Sequence, residues 1–299
     1  MGSALNKKKN TKIMDILNTL DEDFPSSTST AVEPRKFYQA FLAAEERLAS
    51  TPESYRDLRK SLLSELTSFL YHEGDSGKKM FRRRDGTPEV LTSLWLSAAR
   101  QTAGWFATEN AVPSFQGFDP SLLADLPRRF KNPVDLLQIR PFLSSYGIIF
   151  LRQEQLTSMR LDGAVFPIPS GQIVVALSLR YARLDNFWFT LMHELAHVVL
   201  HTNGLVDPII DDLDTISDDI LEKEADRLAA DSLIPRHEWR SCPARYYHTE
   251  ANVINFAQKL GIPAQCVAGR LQRELGRYNL FPKIINKYNT RDIFNEDKI

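Results

Sequence analysis

The run Phe187-Trp188-Phe189-Thr190-Leu191-Met192-His193-Glu194-Leu195-Ala196-His197-Val198-Val199-Leu200 constrains this chain more than any other stretch. It is apolar almost all the way round a helix, and such a helix is buried in a protein core. Set into it are two histidines and a glutamate. Histidines four apart on a helix sit about 40° apart around the axis and about 6 Å along it, so both imidazoles reach one ion from the same face. Burying these three polar groups without a partner costs several kcal/mol. A metal ion, most naturally Zn2+, is the partner this spacing predicts, with His193 and His197 as ligands. Glu194, about 100° round from His193, is placed to reach a water on the metal rather than to bind the ion on that turn. Zinc lowers the pKa of bound water to about 7, and a carboxylate can then accept its proton, so Glu194 is the catalytic candidate.

A catalytic zinc takes three protein ligands and keeps one position open. His201 continues the four-residue spacing, but on a continuous helix it lies about 80° round and about 12 Å along from His193, too far to share the ion. A third histidine at position 203 would mark a different subclass, and that residue is Asn203. The next helical segment, Leu221-Glu222-Lys223-Glu224-Ala225-Asp226-Arg227-Leu228-Ala229-Ala230, offers carboxylates. Glu224 has Ile220, Leu221 and Leu228 three or four places away and so borders an apolar face. Glu222 has Asp218, Asp219 and Asp226 at those spacings, which reads as a solvated acidic face. This periodicity favours Glu224 as third ligand; the plainer alternative is a surface ion pair with Lys223 or Arg227.

The rest of the chain supplies the frame. Residues 1–33 carry Pro25-Ser26-Ser27-Thr28-Ser29-Thr30 and read as a disordered leader and linker. Residues 34–110 are patterned as helices, with Leu58, Leu62, Leu66 and Leu70 repeating every four residues. Residues 111–280 mix strands and helices. Strands are predicted at 148–151, 163–168 and 173–177, the last two joined by a Pro169-Ser170-Gly171 hairpin turn. Helices are predicted from Asp185 or Asn186 to about Leu200, from about Ser217 to Pro235, over 250–260 and over 264–275. Residues 281–299 read as a C-terminal tail. The expected fold class is α+β, with a small antiparallel sheet preceded by a helical N-terminal region.

The blocks His193-Glu194-Leu195-Ala196-His197-Val198-Val199-Leu200-His201, Glu224-Ala225-Asp226-Arg227-Leu228-Ala229-Ala230 and Leu233-Ile234-Pro235 resemble the ImmA/IrrE metallopeptidases. The flanking Asp185 to Thr190 and Val267-Ala268-Gly269-Arg270-Leu271 are similar to that family too, so the likeness runs from about Pro133 to Arg277. The resemblance implies a zincin-like metallopeptidase domain, with Zn2+ held by the two motif histidines and the glutamate opening the second block, here His193, His197 and Glu224. It also implies limited proteolysis of a helix-turn-helix transcriptional repressor in a stress response. Many relatives carry an N-terminal helix-turn-helix domain. The N-terminal helices here are long and lack its short glycine-centred turn, so this region is expected to recognise a partner or signal without reading DNA bases.

A net charge of -1 draws the chain to neither nucleic acid nor membrane. The basic run Lys78 to Arg84 leaves nucleic acid as a weak or signalling ligand at most. Phe256 to Val267 has helix-turn-helix spacing but is better read as a packed helical pair. Ile173 to Leu177 could be an edge strand that receives a peptide, or an ordinary core strand. Cys242 and Cys266 suit neither a disulfide framework nor a thiolate zinc site and agree with a cytoplasmic protein. The expected function is zinc-dependent endoproteolysis of a regulatory protein. The alternative is a non-catalytic, antitoxin-like binding module on the same scaffold, against which an intact Glu194 speaks.

Overall fold

The computed structural model describes residues 34–49, 63–64, 66–67, 70–71, 89–156, 159–201, 209–211 and 220–295. The expected leader (1–33), the basic run Lys78 to Arg84, and residues 296–299 lie outside them. The chain divides into two compact units, Met1–Ser97 and Ala98–Ile299.

In the first unit, α1 (Pro34–Ala49) buries Ala40, Ala44 and Leu48, spaced four apart along one face. Leu66 and Leu70, from the predicted four-residue repeat, are buried as well. The Phe37 and Tyr71 rings meet edge to face at 5.8 Å. Helix α2 (Glu89–Glu109) continues past the unit boundary, so the helical pattern does not stop where the second unit begins.

The second unit is built on a four-stranded sheet in the order β1-β3-β2-β4, where β1 is Ile148–Arg152, β2 Gly163–Pro167, β3 Ile173–Leu177 and β4 Ile209–Asp211. Side chains alternate between the faces of a strand. Ile148, Phe150, Val165, Ile173, Val175 and Leu177 accordingly enter one core with the histidine-bearing helix α5, Leu184–His201. The β2–β3 hairpin turns where the sequence predicts, with the Ile168 N–H donating to Gln172 O at 3.0 Å. One expectation changes and one open alternative is decided. The sheet is mixed, because β1 runs parallel to β3. Of the two readings of 173–177 the core strand holds: β3 is paired on both sides and offers no free edge to a peptide, and among the described residues β1 and β4 are the edges.

Helices pack around this core: α3 (Pro120–Arg129), a 3-10 turn (Pro133–Gln138), α4 (Ile139–Ser144), α6 (Ile220–Leu233), α7 (Arg236–Arg240), α8 (Glu250–Leu260) and α9 (Ala264–Leu275). In α9, Cys266, Val267, Ala268 and Leu271 are buried in the core, so the α8–α9 pair supports the fold and presents no recognition helix. Both cysteines are buried and unlinked. Over its described residues, 281–295, the expected tail is instead integral to this unit. It forms α10 (Pro282–Ile285) and α11 (Thr290–Asn295), and the Phe294 ring lies 5.8 Å from that of Phe150 and 5.3 Å from that of Phe187. Polar residues dominate 286–299, which hid the few apolar anchors.

Among the described residues, no helix is long and apolar enough to cross a membrane.

Candidate metal centre

Helix α5 is fixed at its start by a buried polar cluster. Asp185 accepts two bonds from the Arg183 guanidinium, at 3.0 and 2.7 Å, and Arg183 also donates to Gln272 of α9 at 2.7 Å. Gly269 makes this possible: a Cβ there would stand 2.8 Å from Asp185 Cγ. With its N-terminus held by α9 and one face on the sheet, α5 has little freedom to rotate.

The other face of α5 meets α6. The buried positions of α6 are Glu222, Ala225, Ala229, Ser232 and Leu233, a stripe of helical period. Ala225 and Ala229 are small enough to let the two helix backbones approach closely. That approach carries Glu222, at the N-terminal end of the stripe, to the two histidines.

His193, His197 and Glu222 form a buried group whose ligand atoms all lie within 4.8 Å of one another. His193 Nε2 and His197 Nε2 are 2.9 Å apart, and Glu222 Oε2 lies 3.2 and 3.5 Å from them. Bonds of 2.0–2.1 Å in a tetrahedral zinc site imply ligand–ligand edges of about 3.3–3.4 Å, so the triangle is of the right size. Two imidazoles and one carboxylate are also the donor set of a catalytic rather than a structural zinc. The residues present therefore fit a zinc ion.

The protons around the group are set by its neighbours. Asp226 Oδ1 lies 2.9 Å from His193 Nδ1. A carboxylate only accepts, so Nδ1 carries the proton and Nε2 keeps its lone pair for a metal. Burial, the largest influence on His197, pushes its pKa below the ordinary value of 6.5, partly opposed by the hydrogen bond its protonated ring would donate to the Glu222 carboxylate. The neutral form, which ligates metal, is thereby favoured.

Glu194 is fully buried on the sheet-facing side of α5. Its carboxylate packs against Gly163, the first residue of β2, where a Cβ would stand 2.7 Å from Glu194 Cδ. The lack of a side chain at 163 is what admits the carboxylate, a requirement that no sequence periodicity signals.

The structure brings His193 and His197 together with Glu222, and not with Glu224, the third ligand expected from the sequence. Glu224 is not in the group; its side chain is 57% exposed and lies near His201, with Oε2 3.6 Å from His201 Nε2. The expectation took Ile220 and Leu221 to mark the packed face of α6, yet they are 70% and 44% exposed. The alanines mark the packed face, and Glu224 stands about 200° round the helix from Glu222. A signal was available: Glu222 and Asp226 are four apart, the same one-face spacing as the histidines they serve.

An HExxH helix laid on a small mixed sheet, with a carboxylate delivered by the next helix, is the arrangement of a zincin-like domain. Residues 146–272 match the family model for peptidase family M78, described as the IrrE N-terminal-like domain. Over these residues the chain is similar to the ImmA/IrrE peptidases. The match spans β1 to α9 and does not reach the N-terminal unit. No curated protein matches the chain at a significant level.

Proposed function

We propose that the chain is a zinc-dependent endopeptidase that performs limited proteolysis on a regulatory protein. The observation that carries this reading is a buried glutamate, Glu194, on the helix turn that bears the two histidines of a His-His-Glu group of zinc dimensions. His193, His197 and Glu222 hold the metal, and Asp226 orients His193. Zinc, when bound, supplies a Lewis acid that polarises the scissile carbonyl and acidifies water. Glu194 accepts the proton of the attacking water and passes it to the leaving amine. Its burial keeps bulk water from competing for that proton.

The substrate class comes from the family likeness: a helix-turn-helix repressor, cut in the cytoplasm in response to stress. The N-terminal unit serves to recognise this partner or an activating signal. Co-expression of the wild-type chain or Glu194→Gln with the repressor encoded beside its gene tests the proposal, with the repressor's length followed by mass spectrometry. Cleavage by the wild type alone supports it. A repressor left intact by both proteins, yet regulated normally in the mutant, would move the reading to a binding module.

A further inference from the structure

Glu224 and His201 remain to be explained. His201 ends α5, one turn beyond His197, with only 11% of its side chain exposed. Its Nδ1 lies 3.0 Å from His197 Nδ1, and the two ring centroids are 5.1 Å apart. Two ring nitrogens at that distance share one proton, and the metal group decides which carries it. His197 Nε2 faces Glu222 and His193 Nε2, where only a lone pair serves a metal. His197 must then be protonated on Nδ1 and donate to His201 Nδ1. His201 Nδ1, as acceptor, requires that its own proton sit on Nε2. That atom faces the Glu224 carboxylate at 3.6 Å, just outside hydrogen-bond length.

We propose that His201 and Glu224 form a relay behind His197 that holds it in the metal-ligating tautomer, making both of them positioning residues and neither a ligand. The two motif histidines are then oriented by different means. His193 has a carboxylate directly behind it in Asp226, whereas His197 reaches one only through a second imidazole. Removing the outer partner of a ligating histidine typically lowers metal affinity about 10–100-fold. The relay rests on the proposed metal site and adds a prediction which that site alone does not make.

The test is zinc affinity by chelator competition on the full chain. His201→Leu, which removes the acceptor, is expected to bind zinc about 10–100-fold more weakly, while His201→Asn, whose Oδ1 can stand in for Nδ1, should stay within about threefold of wild type. Glu224→Ala should weaken zinc binding less than His201→Leu does, and cause no further loss when combined with it, as expected for two members of one chain of contacts. Imidazole nitrogen shifts of the metal-free proteins supply a second readout: His197 protonated on Nδ1 in wild type and His201→Asn, and a mixture of tautomers in His201→Leu. Wild-type affinity in His201→Leu would overturn the relay. So would an Asn variant as weak as the Leu variant, an unchanged tautomer in His201→Leu, or additive losses from Glu224→Ala. If the wild-type chain itself fails to hold one zinc, the metal-site reading fails, a result separate from all of these.

Discussion

Glu194, Glu222 and Glu224 differ little in chemistry and sharply in position, and position assigns their work. If the proposed site holds zinc, Glu222→Ala is expected to abolish stoichiometric metal, whereas Glu224→Ala should retain the ion; metal analysis of the two purified proteins separates them. Glu194→Gln preserves size and packing. It should keep zinc and fold while cleavage falls by about 10²–10⁴-fold, the usual contribution of general acid–base catalysis. Turnover of a cleavable partner measures this, and an active Gln variant would remove Glu194 from the mechanism. Gly163→Ala reaches the same residue from the sheet. The added methyl would stand where the Glu194 side chain packs, so it should displace the base and lower turnover while one zinc per chain remains. Loss of zinc in this variant would mean that the strand shapes the metal group as well.

At the scale of elements, the site depends on two helix contacts made by small residues. Ala225 and Ala229 lie on the buried stripe of α6 that also carries Glu222, where small side chains permit a close approach to α5. Ala229→Leu forces extra carbons into a packed seam, which typically costs about 1–3 kcal/mol. Because Glu222 lies on the same stripe, zinc affinity is expected to fall together with stability, readable as parallel shifts in thermal melting and chelator competition. Stability lost with zinc affinity intact would show that α6 adjusts without moving Glu222. Gly269 plays the equivalent part at the other end of α5, where it admits the Asp185–Arg183 pair.

For the molecule as a whole, His197 links folding to pH. Burial depresses its folded pKa below 6.5, so between the two values the unfolded chain binds a proton that the folded chain does not. The resulting stability is fully present above about pH 6.5 and is lost as pH falls toward and through the depressed folded value. The melting temperature of the metal-free protein should therefore decline on acidification from pH 7 to 5, and His197→Gln should flatten that part of the profile. An unchanged slope would place the dependence on other groups.

The sequence alone determined what its periodicities encode. A run that is apolar on all sides has to be a buried helix, and two histidines four apart on it have to share a face. Strands read at 148–151, 163–168 and 173–177 from apolar runs and a Pro-Ser-Gly turn lie within one residue of those observed. Local patterns do not record which face of an amphipathic helix meets which neighbour. On α6 the exposed Ile220 and Leu221 pointed to the wrong face, and only the packing of Ala225 and Ala229 against α5 selected Glu222. The parallel pairing of β1 with β3, the docking of Phe294 beside Phe150 and the space that Gly163 leaves for Glu194 are likewise contacts between segments distant in the chain. Such contacts are settled by shape and burial in three dimensions, where a missing methyl group matters as much as a charged one.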